Sequence, residues 1–515
     1  MGGSGRRFID AGYREPKPLI PVGGRPMVSR LLESFPSDWP RTFICNRDHL
    51  SGSDLAEVLV RESPGCRIVG IPPHKEGPVH TLLQGMDLDP DCVPGDEPCL
   101  VSYCDYGFHW DPGAFADFTR ATGCDGAILC YTGFHPEYLR PTMYAYCREY
   151  EGRVAEVREK GHFTPDRTRE WASSGGYWFR SGDLMRSMCA RHAAKGPRIS
   201  GESYVSLVFN ELIRDGLDVR VFPIEWFLQW GTPQDLRDHE YWTGILGRAA
   251  QAGSTGSAVK ECQVLMPMAG RGSRFPGEVP KPLLPVLGQP MFRAAMEALP
   301  ATGDRILVVL DEHAEGIRRA APEATLVRLS AVTEGQALTV AAGIPALDPL
   351  HPVLVSNCDH GLVLDQARWD ALVDEDPDVV VVGVRGYPGA DRTPSAFAWI
   401  RADGNRVTGI SCKVPLGPDP RGDLLLCGTF RFRRPQMLAR AIDELVRRDL
   451  RVNGEFYLDT AIEVCIDMGM DVRVFEADGW LCWGTPEALM EYEWWHGYVS
   501  GPGEDRYGAL KAWQP

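Results

Sequence analysis

The sequence predicts an α/β protein built twice: two tandem domains, each a mixed, mostly parallel sheet flanked by helices. Three observations predict it. An internal repeat runs the length of the chain, apolar runs of strand length alternate with amphipathic stretches, and a glycine-rich loop directly follows one such run. A chain of 515 residues also exceeds one ordinary hydrophobic core.

The repeat is read from four segments. Pro16-Lys17-Pro18-Leu19-Ile20-Pro21-Val22 returns as Pro280-Lys281-Pro282-Leu283-Leu284-Pro285-Val286. Upstream, Gly5-Arg6-Arg7-Phe8 returns as Gly272-Ser273-Arg274-Phe275. Val101 to Gly107 matches Val355 to Gly361, and Trp230-Gly231-Thr232-Pro233 matches Trp483-Gly484-Thr485-Pro486. The separation of partners falls in order, from 267 at Arg7/Arg274 to 253 at Trp230/Trp483. Chance similarity does not keep order and spacing over a whole half. Domains are expected at 1–246 and 261–515, joined by a small, polar, glycine-containing linker at 247–260.

Within the second half, Val264–Met268, Arg305–Leu310, Pro352–Val355 and Val379–Val384 are apolar runs bounded by loops. Continuous β-branched runs suit strands covered on both faces, hence a mostly parallel sheet. Ligands of such sheets sit at the carboxyl ends of the strands. The glycine-rich loop and the Asp loop each follow a strand, so they should converge on one crevice. The first copy starts on its glycine-rich loop with no strand before it. That predicts a gap in its ladder: either the polypeptide begins upstream, or the first site is altered.

The net charge of −16 argues against a nucleic-acid partner, which would want a basic face, but not against an anionic small substrate held by a local basic cluster. No apolar run is long enough for membrane insertion, and no signal-peptide pattern opens the chain. The 15 cysteines are scattered without C-x-x-C spacing, which reads as buried apolar residues in a reducing cytoplasm. A homo-oligomer is left open.

The loop chemistry points to phosphate. In the second copy the strand runs into Ala269-Gly270-Arg271-Gly272-Ser273-Arg274-Phe275, and its partner is Gly2-Gly3-Ser4-Gly5-Arg6-Arg7-Phe8. Closely spaced glycines let backbone N–H groups approach phosphate oxygens. Gly2, Gly3, Gly5, Ala269, Gly270, Gly272 and Ser273 are the candidate nucleotide-binding positions. A bare Gly-x-Gly is equally a structural turn; Arg7 or Arg274, followed by Lys17 or Lys281, delivers two cations to the loop and makes a triphosphate site of it. Asp105 and Asp359 end strands in a Cys-Asp-x-Gly frame, where a carboxylate facing phosphates is a natural Mg²⁺ ligand.

The pattern A-G-x-G-S-R-F…P-K-P-L-L-P-V-x-G-x-P-M resembles the sugar-phosphate nucleotidyltransferase family, and Gly5 to Ile20 resembles its branch associated with capsular polysaccharide biosynthesis. The resemblance covers each half once. It implies two Rossmann-like, nucleotidyltransferase or GT-A-like sheets, and a reaction joining a nucleoside triphosphate to a sugar 1-phosphate or similar small phosphorylated acceptor with release of pyrophosphate. It implies Mg²⁺ as cofactor. By the same resemblance Arg7, Lys17, Arg274 and Lys281 are catalytic, and Gly77 and Gly335 meet the edge of the base. Glu159, Lys160, Gly175, Glu202, Lys413, Gly428 and Glu455 face the acceptor. The family's Glu-Lys pair becomes Cys412-Lys413 in the second copy, and its second metal carboxylate becomes Gln229 or Cys482. One carboxylate would then hold the metal with the triphosphate and water, or Glu202 and Glu455 would help. Aromatic loops at Tyr131–His135 and Glu225–Phe227 either shape the first pocket or fill the core. A cytidylyltransferase acting on a non-sugar phosphate or phosphonate, a glycosyltransferase, and one non-catalytic copy stay open. The second copy is the one expected to turn over nucleotide. Base and acceptor are not disclosed.

Overall fold

The apolar runs of the second half become strands of one sheet. In this computed structural model, which describes residues 1–252, 261–275 and 277–501, the chain divides into two compact units, Met1–Glu240 and Tyr241–Pro515. The sheet of the second unit has the order Thr325–Leu329, Arg305–Leu310, Gln263–Met268, Val353–Ser356, Leu425–Phe432, Val379–Val384, Val472–Glu476, Arg406–Cys412 and Ala398–Asp403. Val353–Ser356 and Val379–Val384 are buried at every position, as β-branched runs covered on both faces must be. Leu425–Phe432 and Arg406–Cys412 run against the others, so the sheet is mixed with a parallel majority.

Gln263–Met268 lies inside this sheet, parallel to Arg305–Leu310 on one side and Val353–Ser356 on the other. Both of its edges are hydrogen-bonded, so the loop that leaves its carboxyl end starts from a fixed point. Helix Pro435–Arg447 lays Leu438, Ala441, Ile442 and Leu445 on the sheet, a spacing that follows the 3.6-residue turn. Helix Leu458–Asp467 adds Leu458, Ala461, Ile462 and Cys465 to the same core.

The first unit keeps this plan with a break in it. Six strands are ordered Cys99–Val101, Trp171–Phe179, Gly126–Tyr131, Val219–Pro223, Arg153–Glu159 and Ala145–Tyr150. Thr42–Asn46 and Arg67–Ile71 form a separate parallel pair. They match Arg305–Leu310 and Thr325–Leu329 of the second unit, while Cys99–Val101 matches Val353–Ser356. Among the described residues no strand stands between Thr42–Asn46 and Cys99–Val101, where the second unit has Gln263–Met268. The one backbone bond from the chain's first residue to Thr42–Asn46 is Asn46 N–H to the Met1 carbonyl at 3.3 Å.

Helix ends follow local chemistry. Asp111 accepts from the Ala114 N–H to start Pro112–Thr122, and Gly123, with φ 61°, ends it. The boundary between the units falls inside helix Pro233–Ala252. The linker expected from 247 therefore opens on helix: Arg248, Ala249, Ala250 and Gln251 are good helix formers, and they continue the turn despite Gly247. Residues 253–260 lie outside the described residues. All 15 cysteines are free. No helix of the described residues is long and apolar enough to cross a membrane.

The break has a measurable consequence. Backbone amides of Thr42–Asn46 should exchange with deuterium faster than those of Arg305–Leu310, because the second strand is laddered on both sides and the first on one. Equal protection of the two segments would show that the gap is closed in solution.

Candidate active site

Each unit brings a lysine, an aspartate and a backbone carbonyl to one point. Lys17 Nζ donates to Asp105 Oδ2 at 2.6 Å and to the Gly231 carbonyl at 2.9 Å. Lys281 Nζ donates to Asp359 Oδ2 at 2.6 Å and to the Gly484 carbonyl at 3.4 Å. The ammonium also sits over an aromatic ring, Phe8 in one unit and Phe275 in the other. Three segments far apart in sequence are thus tied together twice: Pro-Lys-Pro, Cys-Asp-x-Gly and Trp-Gly-Thr-Pro.

Strand pairing explains how they meet. Asp359 precedes His360–Val363, which pairs antiparallel with Gly479–Cys482 and sets His360 opposite Cys482. Asp105 precedes Tyr106–His109, which pairs with Trp226–Gln229 and sets Tyr106 opposite Gln229. The Trp483 N–H donates to the Asp359 carbonyl at 2.8 Å and Trp230 does the same to Asp105 at 2.9 Å. Burial works against the ionised carboxylate of Asp359, but Lys281 and the His360 ring outweigh it and hold the carboxyl well below its usual range. Burial likewise works against the Lys281 ammonium, and Asp359 more than offsets it, so the lysine pKa is raised.

The glycine before the Arg-Phe pair has a steric reason to be glycine. Gly5 and Gly272 have φ of 66° and 62°, and a Cβ on Gly272 would lie 2.7 Å from Lys281 Cβ. The lysine stem therefore packs against a left-handed backbone that a side chain would push away. Arg6–Asp10 forms one short helix after Gly5, and Arg7 is exposed on it. Arg274, Ser273 and Gly270 are exposed on their loop, whereas Gly2 and Ala269 are buried. Gly77 and Gly335 also have a packing reason. Each has positive φ at a helix start, and a Cβ would fall 2.7 Å from the Ser203 backbone in one unit and 2.5 Å from that of Phe456 in the other. These contacts fasten the helix start to the Gly-Glu-x-Tyr segment.

The first unit holds a cavity of about 190 Å³ beside the Lys17–Asp105 pair. Arg7, Lys17 and Lys160 bring positive charge to it; Glu137, Glu159 and Asp235 bring carboxyls; Tyr103, Tyr106, Tyr144 and Tyr177 make the walls, and Gly175 lines it. Gly175 is needed there because a Cβ would meet the Tyr106 ring at 2.6 Å. Lys160, with φ 54°, donates to the Tyr204 hydroxyl at 2.7 Å, and that hydroxyl donates to Glu202. Glu202 is thus one bond behind the cavity wall. Glu159 accepts from the Ser206 hydroxyl at 2.6 Å. Burial pushes Glu137 and Glu159 up to about 7 and Asp235 to about 6, against the hydrogen bonds and cations that favour their ionised forms.

In the second unit Lys413 repeats the positive φ, at 66°, but donates to the Ala396 carbonyl. Gly428 packs against Asn357, and Glu455 is exposed. Glu137, Glu159, Gln229 and Asp235 have Ala390, Cys412, Cys482 and Ala488 as partners. Glu137, Arg140, Asp235, Tyr144 and Tyr177 are absent from the motifs that organise the sequence, whereas Tyr103 and Tyr106 lie in the repeated Val101–Gly107 segment. The contrast between copies was the signal that marks them: acids in one half stand against small neutral residues in the other. The loops Tyr131–His135 and Glu225–Phe227 put Tyr131, Phe134, His135, Trp226 and Phe227 into the core rather than the cavity wall. There the Tyr131 hydroxyl and that of Tyr146 both donate to Glu137 Oε1, at 3.1 and 2.8 Å.

Asp105 and Asp359 offer hard oxygen donors of the kind Mg²⁺ takes, one carboxylate per unit. No group of three or more His, Cys, Asp or Glu gathers as a metal cage among the described residues. Gln229 Oε1 accepts the Tyr144 hydroxyl, and the Cys482 thiol is pushed up to about 11 by burial, so it stays neutral beside Asp359. The residues fit a metal completed by phosphate oxygens and water.

Two outcomes follow. Gly272→Ala should destabilise the second unit by about 1–2 kcal/mol and displace Lys281, whereas Gly270→Ala, whose Cβ meets nothing within 4 Å, should be neutral by denaturant melting. Glu137, with its folded pKa raised to about 7, contributes stability that is complete below the unfolded value of 4.5 and lost as pH rises through 7. Glu137→Gln should therefore gain on wild type by up to about 3 kcal/mol between about pH 5 and pH 8. Parallel stability curves would refute the burial of an ionisable Glu137.

The MobA-like NTP transferase domain model matches residues 1–164 and 264–402, once in each half. The bifunctional protein GlmU of Thermotoga maritima is 25% identical over 220 residues, 42% of this chain and 46% of that protein. The 2-C-methyl-D-erythritol 4-phosphate cytidylyltransferase of Xanthomonas euvesicatoria is 30% identical over 195 residues, 37% of this chain and 70% of that one. Among solved structures, the nucleoside-diphosphate-sugar pyrophosphorylase of Vibrio cholerae aligns at 20% identity and TM-score 0.38, covering 44% of this chain and 98% of that one. The chain spans about half the length of the first of these curated relatives. With two matched regions that carry the repeated Lys–Asp site, the chain belongs to the MobA-like NTP transferase family of nucleotidyltransferases.

Proposed function

We propose that this chain joins a nucleoside triphosphate to a small phosphorylated acceptor, a sugar 1-phosphate in the first instance, and releases pyrophosphate. The observation that carries the reading is the lysine–aspartate pair, repeated in both units just beyond the carboxyl ends of strands. The attacking group is already a phosphate oxyanion, so no serine nucleophile or histidine base is required. A bond forms between the acceptor oxygen and the α-phosphorus as the bond to the departing pyrophosphate breaks. Arg274 and Lys281 align the triphosphate and neutralise charge on the leaving group. Asp359 would hold Mg²⁺ through the carboxylate that Lys281 now occupies, which frees the ammonium for phosphate. The metal supplies charge neutralisation across the triphosphate oxygens.

We assign turnover to the second unit. In it Gln263–Met268, laddered on both sides, leads into the glycine-rich loop, and Lys281 is held on Asp359 at 2.6 Å. The first unit has the acid-rich, tyrosine-walled cavity, and the second has neutral residues at the matching positions. The two pockets therefore differ in the acceptor they take. The motif resemblance of Gly5 to Ile20 supports a product destined for a surface polysaccharide. The cytidylyltransferase similarity supports CTP and a non-sugar phosphate or phosphonate as the second reading.

Pyrophosphate release tests the assignment. Lys281→Ala should lower it by about 100-fold, the scale of losing one transition-state cation, while Lys17→Ala leaves most of it. Full activity after loss of Lys281 would sink the assignment. A thermal-shift series of the four NTPs with Mg²⁺ should name the base, because the bound triphosphate raises Tm by mass action.

A further inference from the structure

We propose that the second unit binds a small oxyanion, centred on Arg431, at the end of its strands opposite the Lys281–Asp359 pair. Strand Leu425–Phe432 runs antiparallel to Val353–Ser356 and sets Arg431 opposite Leu354. Arg431 thus stands where the parallel strands begin, and Ala269–Phe275 and Asp359 lie where they end. Only 7% of Arg431 is exposed, and its Nη1 is buried with no hydrogen-bond partner. It lines a cavity of about 70 Å³ with Cys262, Pro300, Trp369, Val373 and Glu261.

The wall is chosen against cations and for an anion. Pro300, Trp369 and Val373 are apolar, and Glu261 is the one acidic member, exposed. Arg305 brings a second guanidinium to the neighbourhood of Cys262, and its Nη1 is also buried without a partner. A buried unpaired cation is costly unless something pairs with it. The guanidinium fork matches the oxygens of a carboxylate or a phosphate. One water needs roughly 10–15 Å³ of such space, so the cavity admits on the order of five heavy atoms, the size of phosphate, sulfate or a short carboxylate. At the matching position the first unit has Trp178, so the site belongs to the second unit alone.

The test uses the full chain carrying Lys17→Ala and Lys281→Ala, which weakens anion binding at the two phosphate loops. Thermal melting and titration calorimetry with sodium phosphate, sulfate and acetate, against sodium chloride at equal ionic strength, read the site. Adding Arg431→Met should abolish the anion-dependent rise in Tm and weaken binding by about tenfold or more. That variant should fold, because a buried guanidinium whose Nη1 has no hydrogen-bond partner is replaced by an apolar chain of similar length. Glu261→Gln should tighten binding, and Arg431→Lys, which keeps charge without the fork, should bind more weakly than the parent. A response to phosphate and sulfate assigns a tetrahedral anion, and a response to acetate a carboxylate. Equal titrations of the parent and Arg431→Met, or no response to any of the anions, would overturn the proposal.

Discussion

The lysine–aspartate pair is the constraint on which each unit is arranged. A lysine ammonium at 2.6 Å from a half-buried carboxylate can be accommodated only if the rest of the chain delivers both groups at once. Pro-Lys-Pro places the cation, the strand before Cys-Asp-x-Gly places the anion, and the Trp-Gly-Thr-Pro turn brings a carbonyl to the same nitrogen. The left-handed glycine at 5 or 272 makes room for the lysine stem. None of these devices is useful without the others, which explains why they recur together in both halves.

Around that shared centre the units diverge. In the first, burial of Glu137, Glu159 and Asp235 in one tyrosine-walled cavity raises all three carboxyls toward neutrality. Such a cavity favours ligands that donate hydrogen bonds to the acids or bring positive charge to them. In the second, alanines and cysteines stand at those positions, and neutral thiols at Cys412 and Cys482 take the place of polar oxygen. A duplicated fold therefore carries the same lysine–aspartate pair in two different side-chain environments.

The glycine-rich loop of the second unit is governed by its strand. Gln263–Met268 is held on both edges, so the amides that follow it have a fixed origin. Preorganised donors cost no rearrangement when charge arrives, which is where electrostatic catalysis gains most.

The α/β class, its mixed and mostly parallel sheet, and the duplication were legible in the sequence, because each depends on local pattern: β-branched runs, glycine spacing, and repeats in fixed order. The order of the strands was not, since Leu425–Phe432 inserts between two strands whose sequence pattern is the same either way. Nor was the pairing of Lys281 with Asp359, which needs a distance across 78 residues of chain. The acid cluster of Glu137, Glu159 and Asp235 is likewise a product of folding: the three come from separate segments, and only burial together turns ordinary carboxyls into a pocket. Sequence alone determined which chemical groups each half carries; tertiary packing decided which of them meet, because contact and desolvation are set by the sheet and not by neighbours along the chain.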